Sequence, residues 1–261
     1  MQPRPYILAE TNWKTVKHTN YEVAVLPWGA TEAHNYHMPY ATDNIQCDYV
    51  AAEAARQAWE QGARVVVLPT VPFGVNTGQL DIKLDVNMNP STQFLVLRDV
   101  VDALSRQGIA KLVVLNGHGG NNFRQMLREI QAAFPGTFLS AVNWYDAAKW
   151  SDYFQDLGDH AGEMETSVIM HIAPDLVLPL SEAGSGKARA FKIRAFREKW
   201  AWAQRQWSAV TDDTGVGNPT AATPDKGRRY LEAVTRNIGS FLVDLAAADI
   251  TELYADPDDL E

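Results

Sequence analysis

Three short segments of the chain concentrate histidine and carboxylate side chains. The first carries four such side chains: Glu32, His34, His37 and Asp43. The second segment, residues 116–121, has the sequence N-G-H-G-G-N. The third, residues 159–167, has the sequence D-H-A-G-E-M-E-T-S. Oxygen and nitrogen donors of this kind suit Zn, Mn or Fe(II). Together they could hold two ions that share a carboxylate and activate water for hydrolysis.

Each motif alone has a simpler interpretation. A Glu-x-His pair is common on protein surfaces, and Asp43 could cap the helix that follows it. The loop around His118 could be a plain turn, or it could bind phosphate at a helix N-terminus, although it lacks the spacing of the glycine-rich nucleotide motifs. Glu165 could lie in the first turn of a helix without a chemical role. A functional site is the better interpretation only if the fold brings the three segments together.

The elements between these segments predict such a fold. Short apolar runs indicate buried strands, and they alternate with segments whose apolar residues recur at helical spacing. The predicted strands are residues 22–27, 64–69, 111–116 and 137–143, and the predicted helices are residues 42–61, 91–107 and 121–134. This alternation is typical of a parallel sheet covered on both faces. The side chains that follow the strands then meet at the carboxyl edge of the sheet.

The composition is that of a globular protein with a large core. The chain has 261 residues, of which 46% are hydrophobic, and a formal net charge of −9. The apolar content excludes disorder, the single Cys47 excludes a disulfide scaffold, and the negative charge argues against a nucleic-acid partner. No apolar run approaches the ~20 residues of a membrane-spanning helix, and the first residues lack the apolar region of a signal peptide. We therefore expect a cytoplasmic enzyme without a membrane partner.

The order of the motifs resembles that of the creatininase (creatinine amidohydrolase) superfamily. The matching segments are P-W-G-A-T-E-A-H-N-Y-H-M-P from residue 27, T-D at 42–43, N-G-H-G-G-N at 116–121, H-A-G-E-M-E-T-S at 160–167 and G-N-P-T-A-A-T-P-D-K-G at 217–227. The resemblance covers most of the chain. It implies a single α/β domain over residues 1–261, with a mostly parallel central sheet and helices on both faces. It also implies a homohexameric, metal-dependent hydrolase of small molecules.

The resemblance further implies a dinuclear centre with two divalent metal ions, for which Zn is the first expectation and Mn or Fe are alternatives. Glu32, His34 and His118 match ligand positions of the family, and Asp43 matches the carboxylate that bridges the two ions. Creatininase itself has one further ligand, a Glu two residues after the histidine of the N-G-H loop. This chain has Gly120 there, so one ligand of the second metal must come from another position.

We expect Glu163 to replace that missing ligand, because the N-G-H-G-G-N form of the loop usually accompanies an H-A-G-E segment in the family. His160 matches the catalytic histidine of the family, which handles protons on the leaving group. Glu165 is expected to act behind it, as a carboxylate that orients a ligand or handles a proton. His160 and Glu165 are thus the predicted catalytic residues.

The predicted substrate pocket departs from the family pattern in residues 73–81, where Gln79 stands at a position that is often His. We expect His37, Asn76, Gln79 and Trp150 to contact the substrate. Asn and Gln near a metal would suit an amide-bearing or polyhydroxylated molecule. The resemblance therefore leaves three functions open. They are hydrolysis of a cyclic amide, formamide or related C–N bond, opening of a cyclic keto-sugar or keto-inositol, and non-catalytic binding of metal or sugar.

Residues 187–207 form a basic segment in an acidic chain and include Trp200, Trp202 and Trp207. A helix that lies on a membrane surface is one interpretation. A contact between subunits or a pocket rim is favoured, since the segment belongs to a chain that resembles a soluble, hexameric family. A second group of aromatic residues could form a lid over the site or could pack in the ordinary way: Trp150, Tyr153 and Phe154.

Overall fold

A four-stranded parallel sheet forms the centre of the fold. The computed structural model describes residues 3–156, 158–256 and 258. The strands are β1 (Val23–Trp28), β2 (Val65–Val67), β3 (Lys111–Asn116) and β4 (Phe138–Asn143), and they lie in the spatial order β2-β1-β3-β4. Trp28 is paired with Asn116, and Asn116 with Asn143. The ends of three strands therefore lie side by side at one edge of the sheet.

Helices cover both faces of this sheet, as the sequence predicts. Those among the described residues are α1 (Trp13–Val16), α2 (Thr42–Glu60), α3 (Pro90–Arg106), α4 (Arg124–Ala133), α5 (Glu163–Ile172), α6 (Arg194–Arg197), α7 (Trp207–Val210) and α8 (Pro224–Ala247). Short 3-10 helices occur at Leu8–Glu10, Trp144–Asp146, Trp150–Asp152, Pro174–Leu176 and Leu180–Glu182. The α/β class with a parallel sheet is thus confirmed.

Two apolar cores form because alternate side chains of a strand point to opposite faces. Val23 and Val25 of β1 pack in a core with residues of α2, α5 and α8. Ala24 and Leu26 pack in a second core with residues of α3 and α4. All six residues of β1 are buried, which explains why its sequence is continuously apolar rather than alternating. Polar groups are left to the carboxyl edge of the sheet.

The loop before α4 shows why this helix begins at Arg124 rather than at residue 121. The Asn121 side chain is used to tie loops together instead of continuing the helix. Its Oδ1 accepts hydrogen bonds from Val75 N at 3.0 Å and from Gln93 Nε2 at 2.8 Å. Its Nδ2 donates to Asn116 Oδ1 at 3.0 Å. Asn and Asp side chains commonly compete with helical backbone in this way.

The basic segment 187–207 is largely irregular. Its helical residues are the four of α6 and the first residue of α7, so it does not form the long amphipathic helix that binding to a membrane surface would require. Trp200 and Trp202 are 74% and 83% exposed, whereas Trp207 is buried. Among the helices of residues 3–156, 158–256 and 258, none has the length and apolar character needed to cross a membrane.

Candidate metal centre

The three sequence segments converge at the carboxyl edge of the sheet. Two sets of potential ligand atoms, each within 4.8 Å of one another, share Asp43: Glu32 with Asp43 and His118, and His34 with Asp43 and Glu165. A third set joins Glu32, His34 and His160. Glu32 and His34 follow β1, His118 follows β3, and Asp43 lies in the first turn of α2. A shared carboxylate between two donor sets is the arrangement that a dinuclear centre requires.

The histidines of the cluster are oriented by backbone carbonyl groups. His34 Nδ1 lies 3.1 Å from Glu32 O, and His118 Nε2 lies 3.1 Å from Val75 O. His160 Nε2 lies 2.8 Å from Ala33 O. Because a carbonyl oxygen only accepts, each of these nitrogens carries the proton, and in a neutral ring the opposite nitrogen keeps its lone pair. Those opposite nitrogens all face the carboxylates of the cluster. In metal-binding histidines the ligating nitrogen is likewise the one opposite an N–H that donates to an outer acceptor.

The buried carboxylates of the cluster lie so close together that their negative charges require a compensating positive charge. His118 Nδ1 lies 2.8 Å from Glu32 Oε1 and 3.1 Å from Asp43 Oδ2, yet Asp43 Oδ2 is buried without an aligned hydrogen bond. Burial alone would lower the pKa of His34, but Asp43 at 3.0 Å raises it to about 10. Divalent ions would supply this charge and leave the histidines neutral. The donor set therefore fits one or two such ions.

Glu163, the expected replacement ligand, lies outside this cluster. Its carboxylate is fully buried and bonds Lys226 Nζ at 2.5 Å. It also accepts hydrogen bonds from the backbone N–H groups of Gln155 and Asp156 at 2.8 and 2.9 Å. A carboxylate that is already neutralised and saturated with donors is a poor metal ligand. The structure instead brings Glu165 to the place where the second donor set lacks a ligand, with its Oε1 3.9 Å from His34 Nε2.

Gly120 has a steric reason for being glycine. A Cβ added there would lie 2.4 Å from His118 Nε2 and 2.4 Å from Val75 O. A side chain at this position would therefore disturb the hydrogen bond that orients His118. The second donor set thus contains Glu165 and no side chain from position 120.

A cavity of about 1000 Å³ opens onto the cluster. Its walls include Asn76, Gln79 and Trp150, as the sequence predicts for the substrate pocket, together with Trp202 and Trp207. Gln79 Nε2 donates to Glu32 Oε2 at 2.6 Å. Asn76 Nδ2 instead bonds the carbonyl groups of Thr31 and Val86, so the Asn76 amide supports the loop.

His37 lies behind the cavity rather than in its wall. It is buried, and its Nε2 lies 2.9 Å from Thr166 Oγ1 on α5. Burial lowers the pKa of His37 to about 4, and the neighbouring His34 adds to this effect. His37 therefore links the loop after β1 to the helix that carries Glu165, and it is not among the residues that line the cavity.

The aromatic residues near the site divide between the cavity and the core. Trp150 and Trp202 line the cavity, and Trp207 packs edge-on against the His160 ring at 5.4 Å between centroids. The basic segment therefore contributes to the rim of the pocket. Tyr153 and Phe154 pack against Tyr230 in the core, so only Trp150 of the second aromatic group is placed like a lid.

Asp85 is a further residue of the site that the sequence motifs do not include. Its Oδ1 accepts a hydrogen bond from Ala33 N at 2.7 Å, within the segment that carries Glu32 and His34. Burial, with Glu32 nearby, raises the pKa of Asp85 to about 7. The preceding Leu84 has φ +68°, a left-handed conformation that is uncommon for leucine. An Asp in a loop rich in Asn carries no clear sequence signal for this role.

Comparison with known proteins identifies the group of enzymes to which this arrangement belongs. The family described as creatininase, creatinine amidohydrolase, matches residues 9–242. The chain belongs to the creatininase family. Its creatininase relatives are hydrolases, and the chain is accordingly a metal-dependent hydrolase of the amidohydrolase type.

Two creatininase relatives differ in the substrates for which they are named. The mycofactocin precursor peptide peptidase of Mycolicibacterium smegmatis is 28% identical over 215 residues, which are 82% of this chain and 81% of that protein. The creatinine amidohydrolase of Pseudomonas putida is 28% identical over 176 residues, which are 59% of this chain and 66% of that protein. The family therefore includes hydrolases named for a peptide and for a small cyclic amide.

Solved creatininase-type structures share the fold. A Bacteroides fragilis protein named for creatinine amidohydrolase is 42% identical, with a TM-score of 0.90 over 96% of this chain and 99% of that chain. A manganese form of creatininase superposes with a TM-score of 0.77 over 94% of this chain and 100% of that chain, at 22% identity. A variant of creatininase is also known in a Zn-Zn form. These structures agree with divalent metal ions as the family's cofactor.

Proposed function

We propose that this chain hydrolyses an amide or related C–N bond with two divalent metal ions, for which Zn is the first candidate. One ion would be held by Glu32, Asp43 and His118, and the other by His34, Asp43 and Glu165. The observation that carries the proposal is the shared position of Asp43 between two compact donor sets. When bound, the ions would activate water and polarise the carbonyl group of the substrate.

His160 is the proposed proton carrier. Amide hydrolysis adds hydroxyl to the carbonyl carbon, breaks the C–N bond and delivers a proton to the leaving nitrogen. Ala33 O accepts from His160 Nε2, so Nδ1 faces the cluster, 3.8 Å from Glu32 Oε1. From this position Nδ1 can take up a proton and deliver it to nitrogen. Trp207 packs in a T-shaped contact with the His160 ring, with 5.4 Å between the ring centroids.

Gln79 and Asn76 support an amide substrate over a polyhydroxylated one. One N–H of Gln79 is used by Glu32, and both of the contacts of Asn76 Nδ2 are with backbone carbonyls. These N–H groups therefore hold the site rather than bind a row of substrate hydroxyl groups. The presence of His160 in the cluster also supports catalysis over a non-catalytic binding role.

Metal content and turnover in matched variants test the proposal. We expect about two ions per chain in the wild-type protein and almost none in Asp43→Ala, with loss of hydrolysis on a panel of cyclic amides, formamides and short peptides. Asp48→Ala changes an exposed Asp of the same helix and should keep both metal and activity. His160→Ala should keep metal and lose turnover. Retained turnover in both Asp43→Ala and His160→Ala would contradict the proposal.

The homohexamer implied by the resemblance is a further proposal. Large exposed apolar side chains support association between copies of the chain, since such patches usually mark contacts. Among them are Leu80, Leu84 and Ile193. Sedimentation velocity on the purified protein measures the assembly, and a monomer at micromolar concentration would contradict it.

A further inference from the structure

The active-site cavity continues past the metal cluster into a groove between helix α4 and strand β4. One wall is formed by Arg124, Leu127 and Arg128 of α4, and the other by Leu139, Ser140 and Ala141 of β4. We name it the α4–β4 groove. It extends along the strand, away from the cluster at the carboxyl edge of the sheet. The volume of about 1000 Å³ belongs to the cluster and the groove together.

The β4 wall is an open sheet edge. β4 is the last strand in the order and pairs only with β3 among the described strands. Phe138 N donates toward β3, to Ala110 O at 2.7 Å, so the alternating backbone groups of Leu139 and Ala141 point away from β3. Leu139 N is taken by Gln131 Oε1 at 3.1 Å. Ala141 is exposed and lines the cavity, and its backbone N–H and C=O point away from β3 at the open edge.

The α4 wall carries unbalanced positive charge. Arg124 and Arg128 lie one helical turn apart, and neither forms an ion pair with a carboxylate of the described residues. Like charges at this spacing destabilise a helix slightly, and the chain as a whole is acidic. Gln131, about one turn further on, closes the groove by bonding Leu139 N and Thr137 O. The α4 wall is therefore cationic, whereas carboxylates such as Asp146 line the cavity beyond the carboxyl end of β4.

We propose that the α4–β4 groove binds an extended peptide segment that carries carboxylate groups, as an added strand on β4. The backbone of Ala141 would supply hydrogen bonds of the sheet type, and Arg124 and Arg128 would pair with the carboxylates. A peptide placed this way leads from the groove to the metal cluster, where one of its amide bonds can react. The inference deepens the proposed amide hydrolysis by naming an acidic peptide as its substrate class.

The direct test is peptide binding by fluorescence polarisation on the full-length, metal-loaded protein. The probe is a labelled seven-residue peptide that alternates Val and Glu and ends in a free carboxylate. Three comparison peptides carry Gln for Glu, a C-terminal amide, or N-methyl groups on alternate backbone nitrogens. The Gln and amide peptides separate side-chain from C-terminal carboxylates. The N-methylated peptide keeps the charge and loses the ability to add to a strand. Tricarballylate serves as a small anion without a peptide backbone.

Matched variants test whether the peptide binds in the α4–β4 groove. Arg124→Gln with Arg128→Gln should weaken binding about tenfold and reduce its dependence on NaCl. The control is Arg236→Gln, an exposed α8 arginine that also lacks an ion pair with the described carboxylates, and it should bind like wild type. Hydrogen exchange of the Ala141 amide, followed by NMR, should be fast in the free protein and slower with the peptide, because this N–H points away from β3. This protection should be lost in the double variant.

The possible outcomes distinguish peptide binding in the α4–β4 groove from amide hydrolysis at the metal cluster. Equal binding of the N-methylated peptide, equal binding by the double variant, or full competition by tricarballylate at equal charge would overturn the inference. Protection of the Ala141 amide without peptide, with association that depends on concentration, would assign the edge to a second copy of the chain and also overturn it. Peptide binding without hydrolysis of any amide would support the peptide site and contradict the proposed hydrolytic function. Hydrolysis of small amides without peptide binding would support the hydrolytic function and contradict the peptide site.

Discussion

Two glutamates of one helix, Glu163 and Glu165, have opposite surroundings. Glu163 is fully buried against Lys226 and accepts two backbone N–H groups. Glu165 accepts a single hydrogen bond from the backbone, donated by Ala161 N at 2.5 Å, and its other oxygen faces His34. Residues two apart on an α-helix point about 200° apart. The first therefore faces α8, and the second faces the metal cluster.

The comparison indicates what makes a carboxylate available to a metal. Both residues lie in the first turn of α5 and share a sequence motif, so residue type does not separate them. Glu163 has its charge compensated by a lysine, and an ion would have to displace that partner. Glu165 has no lysine or arginine within ion-pair distance among the described residues. Charge compensation from the fold decides which of the two can become a ligand.

Exchange of each carboxylate for an amide is the strongest test of this difference. We expect Glu165→Gln to lose one metal per chain and at least about a hundredfold in turnover, because removal of a ligand should exceed the cost of removing a group behind one. Glu163→Gln should keep both ions. Elemental analysis of protein purified without chelator measures the first effect, and turnover on the best amide of the panel measures the second. Equal metal loss in both variants would contradict the difference between the two residues.

A substitution at Gly120 adds a second test of which residue supplies the metal ligand. A Cβ at Gly120 would meet His118 and Val75 at 2.4 Å, so Gly120→Glu should not restore the metal lost in Glu165→Gln. Gly119→Glu is the neighbouring control, since a Cβ there meets nothing within 4 Å. Recovery of the second ion in the Gly120→Glu, Glu165→Gln double variant would mean that the loop adapts and that the steric argument is wrong.

The Glu163–Lys226 pair should matter for stability. Lys226→Met leaves a buried carboxylate without its cation, and we expect a loss of about 3 kcal/mol in the free energy of unfolding. The double variant Lys226→Met, Glu163→Gln should recover part of that loss because no uncompensated charge stays buried. The exposed pair Arg228–Glu232 on the same helix as Lys226 is the control, and its removal should cost less than about 1 kcal/mol. Urea denaturation measures all four proteins.

Asp85 represents a third kind of carboxyl group near the cluster, one that accepts a hydrogen bond from a backbone N–H group. It accepts from Ala33 N, while Ala33 O orients His160. Asp85→Ala should lower kcat about tenfold with little change in KM or metal content, whereas Asp85→Asn keeps an acceptor oxygen and should stay near wild type. Asp99→Ala removes an exposed carboxyl group of α3, away from the cavity wall, and serves as the control.

A second measurement distinguishes positioning from general loosening of the fold. Nitrogen-15 spectra of the histidine rings should report the proton on His160 Nε2 in the wild-type protein and in Asp85→Asn. In Asp85→Ala we expect a mixture of the two neutral forms. An unchanged His160 signal together with a lower kcat would remove Asp85 as a positioning residue.

The parallel sheet and the convergence of most of the cluster residues could be predicted from the sequence, because both depend on patterns of neighbouring residues. Continuous apolar strands such as 111–116 require burial on both faces, and polar groups directly after them must collect at the carboxyl edge. His118 follows from this placement, whereas the ligand role of Asp43, in the first turn of α2, is implied by the resemblance to creatininase. Glu163 could not be excluded because its partner Lys226 lies 63 positions away. Asp85 depends on a left-handed leucine, and no pattern in the sequence predicts it.

His37 offers the smallest predicted effect, in the pH dependence of stability. It links the loop after β1 to Thr166, next to Glu165. Its pKa is about 4 in the folded protein against an ordinary value of 6.5, so the unfolded chain binds more protons between these values. The free energy of unfolding should therefore rise with pH from 4 to 6.5. His37→Gln should flatten this rise in metal-free protein, whereas the exposed His18→Gln should not. Identical slopes for wild type and His37→Gln would show that the buried neutral histidine does not set this window.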